Sequence, residues 1–167
     1  MKTLDFKPAK TKEDFRKNYK LHDLAEYHGK NLFSQWGIDF KDFGKDRRYE
    51  KVWEKGEDKP DTLAEGENLK FLVDWKGKAT EAFWVNKRAI ESYKNWGNKL
   101  NLPVVICFFL FDKNINLKDR RFALLSKHEY EVVNNKAWDK NEVVKFSSNL
   151  PKFTKSNLMK ELKQINK

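Results

Sequence analysis

The chain has 167 residues, which suits one domain around one core. Hydrophobic residues make up 39% and aromatic residues 14%, which excludes a largely disordered chain. Lys and Arg outnumber Asp and Glu by 35 to 25; the formal charge of +10 favours phosphate backbones or anionic membranes as partners, and equally fits an ordinary basic protein.

The first ten residues are a basic lead-in. Met1 to Asp5 lacks the hydrophobic region of a signal peptide, so an intracellular, cytoplasmic and reducing setting is expected. Thr11 followed by Asp14 fits a helix-capping pattern, and a helix is predicted from there to about Trp36, with a break near Lys20. At 100° per residue, Leu21, Leu24, Ala25, His28, Leu32 and Trp36 share one arc, and Glu26 stands at its margin beside Phe33. Asp23 lies further towards the polar side. Gly37 is the stop signal.

Residues 38 to 43 and 49 to 54 alternate as short strands do. Pro60 then opens a hairpin: a strand over 61–64, a turn over 65–68 and a strand over 69–76, ended by Gly77 and Lys78. In a strand, side chains at i and i+2 share a face, so Asp74 and Lys76 point the same way with Trp75 opposite. If the strands pair, Asp61 comes to the same end of the sheet. Two carboxylates and a lysine there would suit a divalent metal and a water.

A helix over 86–100 presents Ala89, Ile90, Tyr93, Trp96, Gly97 and Leu100 on its apolar face. Val104 to Phe111 has no polar alternation and reads as a central strand covered on both sides. It is far too short to span a bilayer. Strand, helix and buried strand form a crossover unit, so the Asp74 and Val104 strands are expected to be parallel neighbours. Cys107, the lone cysteine, lies in this strand as a buried thiol. It excludes an intrachain disulfide, an iron–sulfur cluster and a cysteine-based zinc site. Further signals are weaker: residues 121–126 as a strand, 130–133 and 143–146 as strand or loop, and a short helix from a Ser156 cap to Ile165. No repeat, low-complexity linker or second-domain boundary is apparent. The histidines lack metal-ligand spacing and are assigned to packing or surface roles. Trp75, Trp84 and Trp96 are assigned to the core in preference to base stacking.

Pro60-Asp61 and Asp74-Trp75-Lys76, with thirteen residues from aspartate to aspartate, resemble the PD-(D/E)XK nuclease superfamily of restriction endonucleases and Holliday-junction resolvases. An apolar strand runs straight into Asp74 and a crossover unit follows, as in that superfamily. The match covers roughly residues 20 to 112. Some branches carry a glutamine four residues before a tyrosine on the following helix; here Ala89 precedes Tyr93.

The resemblance implies an α/β fold with a restriction-endonuclease-like core (αβββαβ). Its central mixed sheet of four to five strands would be flanked by helices in a single domain, with a core over about 11–112 and an extension over 113–167. It implies a DNA endonuclease using Mg²⁺ or Mn²⁺. Asp61, Asp74 and the Trp75 backbone carbonyl would ligate the metal, Glu26 would support it directly or through water, and Lys76 would attend the attacking water. Hard oxygen donors suit these cations. Lys70, Lys78, Lys87 and Arg88 are candidate phosphate contacts. Resolvase-like cutting of two strands implies a homodimer. A non-cleaving nucleic-acid-binding or assembly module on the same fold, and an RNA endonuclease, stand as alternatives.

Overall fold

The hairpin at the centre of the sequence is also at the centre of the sheet in the computed structural model of the protein. The structure describes residues 12–44, 58–134 and 142–165; for 12–19 it describes the helical backbone alone. The predicted cap at Thr11 and strand over 49–54 lie outside the described residues. The chain forms α1 (Lys12–Trp36), β1 (Asp39–Asp42), β2 (Thr62–Gly66), β3 (Leu69–Lys78) and β4 (Trp84–Asn86). It continues as α2 (Lys87–Leu100), β5 (Val104–Phe111), β6 (Leu117–Leu124), β7 (Tyr130–Asn134), β8 (Glu142–Phe146) and α3 (Lys155–Ile165). The protein is thus an α/β domain with a mixed five-stranded sheet, ordered β1-β2-β3-β5-β6, and three helices among the described residues. β3 and β5 are parallel, as a helical crossover requires, and the other neighbours are antiparallel.

α1 runs without the break expected near Lys20. It ends as Gly37 predicts: φ there is +73°, Ile38 N–H reaches the Phe33 carbonyl at 2.9 Å and Gly37 N–H the Ser34 carbonyl at 3.4 Å. This is the paired-bond ending that a left-handed residue permits. The β2–β3 turn is tighter than the predicted four residues. Gly66 already pairs with Leu69, leaving Glu67 and Asn68 to turn with φ of 50° and 66°. Positive φ at both positions matches the twist of the flanking strands. α2 begins and ends within a residue of its expected bounds, and Asn101 caps it in the left-handed region (φ 56°).

Alternation divides the core between the two faces of the sheet. Phe71, Val73 and Trp75 of β3 and Val105, Cys107 and Phe109 of β5 pack with Leu21, Ala25 and Phe33 of α1 and Leu158, Met159 and Leu162 of α3. Leu72, Val104, Ile106 and Phe108 face the other way, onto Ala89, Ile90 and Tyr93 of α2 and onto Val144 and Phe146 of β8. Burying each Val, Leu, Ile, Phe or Met side chain among these contributes about 1.5–3 kcal/mol. The last third of the chain therefore completes both cores.

Two features were not legible beforehand. The segments expected as strand or loop over 130–133 and 143–146 are β7 and β8, and with β4 they form a second, antiparallel sheet, in which β4 has only three residues, too few to show a period. The α3 cap is Thr154, whose Oγ1 accepts the Asn157 N–H at 3.1 Å, and not Ser156. Among the described residues no helix is long and apolar enough to cross a membrane.

Candidate functional site

The site grows from the point where β2 leaves β3. Leu72 donates its N–H to the Pro103 carbonyl, on the β5 side, at 2.9 Å. Peptide groups alternate along a strand, and the N–H and C=O of one residue face the same neighbour. Asp74 and Lys76 therefore also turn theirs to β5, whereas Val73 and Trp75 face β2. Pairing with β2 stops at Thr62 opposite Val73, so the Trp75 peptide groups face a place the ladder has left. Side chains take over from backbone there. Asp61 Oδ2 accepts the Trp75 N–H at 3.1 Å, and His22 Nδ1, from α1, bonds the Trp75 carbonyl at 3.2 Å.

The side chains of β3 part as alternation demands. Trp75 turns to the α1 face, where its Nε1 donates to Thr62 Oγ1 at 3.0 Å. Asp74 and Lys76 turn to the α2 face. Lys76 Nζ lies 2.9 Å from Asp74 Oδ2 and 5.9 Å from the centre of the Tyr93 ring. Asp74 is 0% exposed, Lys76 1% and Asp61 5%. Two opposite charges removed from water are costly unless they meet, and here they meet. The burial and the Asp74 charge together push the Cys107 thiol, on the neighbouring strand, well above its usual range, burial being the larger cause.

Asp61 thus meets the Trp75 backbone, and Asp74 meets Lys76. Glu26 is held elsewhere: its carboxylate is 3.0 Å from Lys30 Nζ, which is 2.9 Å from Asp42 Oδ1 on β1. Burial pulls the Lys30 pKa down, and the bonds from Asp42 and Glu26 outweigh it, leaving it raised. Glu26 also stands on the helix that covers the Trp75 face, opposite to the face carrying Asp74 and Lys76.

The candidate phosphate contacts are dispersed. Lys78 is no surface cation: it is buried beside Lys76 on the α2 face, and its Nζ donates to the Trp84 carbonyl at 2.6 Å. Lys70 is exposed near the turn end of β3, opposite Glu65, about 13 Å along the strand from Asp74. Lys87 pairs with Glu142 at 3.1 Å and Glu91 at 3.6 Å, and Arg88 lies 3.5 Å from Asp58.

Sequence reasoning missed His22. Its partner is 53 residues away, and nothing local to the helix marks it except its place beside the apolar arc. It also missed two glycines that bring α1 onto β3. A Cβ at Gly29 would lie 2.2 Å from Trp75 Cζ3, and one at Gly77 would lie 2.2 Å from the Leu21 carbonyl oxygen. A small residue inside a strand or helix is a signal of close approach, although it does not say to what.

Among the described residues no group of three or more His, Cys, Asp or Glu side chains is arranged to hold a metal ion. Asp61 and Asp74 are two such side chains, and the Trp75 carbonyl adds an oxygen that belongs to the backbone. The fold and site define an α/β domain with a buried carboxylate–lysine pair beside an interrupted strand ladder. No protein-family model matches the sequence, and comparison with curated proteins finds no match.

Proposed function

We propose that the protein is a divalent-metal-dependent nuclease of the PD-(D/E)XK type, an endonuclease hydrolysing phosphodiester bonds in DNA, with α1, β1, β2, β3, α2 and β5 as a restriction-endonuclease-like core. The observation that carries the reading is Asp61 on the Trp75 N–H, next in the chain to the buried Asp74–Lys76 pair, where β2 and β3 separate. Separated strands leave backbone and side-chain oxygens facing one place, which a continuous ladder would not.

The donor chemistry fits a hard cation. Asp61, Asp74 and the Trp75 carbonyl would hold Mg²⁺ or Mn²⁺ through oxygen, and such ions keep several waters in place of further protein ligands. When bound, the ion would lower the pKa of a water and neutralise charge on the phosphate. Lys76 carries its ammonium beside Asp74, where it would hold a scissile phosphate oxygen or a hydroxide by charge. Asp61 holds the Trp75 N–H and so fixes the Asp74–Trp75 peptide plane, the one before the Trp75 carbonyl. Glu26 would act only if released from Lys30, and the direct candidates are therefore the other three. Asp74 and Lys76 are buried on the α2 face, which would have to open for substrate to reach them.

That burial favours one second reading, a nucleic-acid-binding or assembly domain in which the closed Asp74–Lys76 pair is structural. The two part in one experiment. The protein and its Asp74→Ala and Lys76→Ala variants are incubated with linear, nicked, single-stranded and four-way-junction DNA and with RNA, in Mg²⁺, Mn²⁺ or chelator. Metal-dependent cleavage of DNA that falls by at least about 100-fold in both variants supports the nuclease. Salt-sensitive binding without cleavage in any metal sinks it, and cleavage of RNA alone moves the substrate. Symmetric cutting of the junction by a species of twice the monomer mass would support a homodimer.

A further inference from the structure

The geometry points to His22 as a positioning residue that aims the Trp75 carbonyl into the site, an inference that rests on the nuclease reading above. The imidazole is 6% exposed, and its Nδ1 lies 3.2 Å from the carbonyl oxygen. A carbonyl only accepts, so Nδ1 carries the hydrogen, and a neutral His22 is held as the Nδ1–H tautomer. The two peptide groups that flank the Trp75 Cα are then each held by a side chain from outside the strand: Asp61 on the N–H of the first and His22 on the C=O of the second. A backbone oxygen has two lone pairs, so one bond to His22 leaves it competent as a ligand and fixes the plane in which its second lone pair lies.

The position of His22 is built into the packing. Gly77 lets β3 press against the Leu21 carbonyl, and Gly29, two helical turns on, lets α1 lie against the Trp75 ring. These two close approaches flank Trp75 along the helix and set α1 in one register on β3. Leu21 and Ala25 pack into the core on either side of His22 in sequence. The imidazole so placed meets the Trp75 carbonyl, which lies beyond the last β2–β3 pair. A histidine in a purely packing role would not need that register.

The test uses the full chain with His22→Leu, which removes the donor, and His22→Asn, whose side-chain N–H can take the place of Nδ1–H. Nitrogen-15 spectra of the unsubstituted protein should show His22 as the Nδ1–H tautomer. Calorimetric titration with Mn²⁺ alone should show affinity lowered about 10- to 100-fold in His22→Leu, the size of effect typical of residues that orient a ligand. The Asn variant should recover most of it, and kcat in Mn²⁺ should follow the same order. An Nε2–H tautomer overturns the inference whether or not a variant folds. So does a folded His22→Leu protein that binds Mn²⁺ as the unsubstituted protein does, which leaves the nuclease reading standing. An unsubstituted protein that neither binds Mn²⁺ nor cuts DNA overturns both.

Discussion

Gly77→Ala tests how closely α1 and β3 are pressed together. The added Cβ would lie 2.2 Å from the Leu21 carbonyl oxygen, 2.5 Å from its carbonyl carbon and 3.0 Å from its Cβ. Two of these three atoms are helix backbone and cannot rotate away, so relief requires α1 to move from β3 by about 1 Å, towards an ordinary contact distance. Overpacking of this kind costs about 1–3 kcal/mol. In a domain of this size that lowers the unfolding midpoint by about 2–12 °C. The same displacement lengthens the adjoining His22–Trp75 bond, already 3.2 Å, beyond hydrogen-bonding reach. Urea unfolding followed by tryptophan fluorescence reads the change as a lower midpoint at an unchanged slope. Gly37→Ala is the control: nothing lies within 4 Å of its Cβ, and its cost comes from φ of +73° alone, about 1–2 kcal/mol and without effect on His22. A Gly77→Ala protein within about 0.5 kcal/mol of the unsubstituted one, with the His22 imidazole spectrum unchanged, would refute the close-approach argument.

Two further outcomes are expected. Lys76→Met leaves the Asp74 carboxylate buried without its ammonium, which costs about 3–5 kcal/mol in urea unfolding, and the double variant Asp74→Leu/Lys76→Met should recover much of this; equal stability of the single and double variants would contradict the pairing. Stability should also fall as pH drops through about 6.5, the usual histidine pKa. His28 is lowered by burial and then by Arg120, and His128 by burial, with Glu161 opposing and Lys127 assisting. A lowered folded-state pKa means that the unfolded chain takes up protons first, so stability is full above the unfolded value and is lost on acidification. His28→Gln with His128→Gln should flatten that stretch of the stability–pH curve, and an unchanged slope would show that other groups cause it.

Elements whose signals are local could be read directly from the amino acids. Gly37 ends α1 because only a left-handed residue completes that turn, and Val104 to Phe111 announces a strand covered on both faces because it has no polar position. The period of two puts Asp74 and Lys76 on one side of β3 and Trp75 on the other, and the structure keeps that division. β4, and the sheet it makes with β7 and β8, were not determined locally, since three to five residues carry too little pattern and the sheet meets the rest of the fold where β4 and β8 pack on α2.

The company each charged residue keeps depends on how distant segments pack. Glu26 and His22 lie one turn apart on one helix, and nothing in their spacing says which meets the hairpin. Gly29 and Gly77 set how close and in which register α1 crosses β3, and that register gives His22 the Trp75 carbonyl and leaves Glu26 to Lys30. Side-chain hydrogen bonds act over about 3 Å, so a choice between neighbours on a helix waits on the packing that brings distant segments within that range.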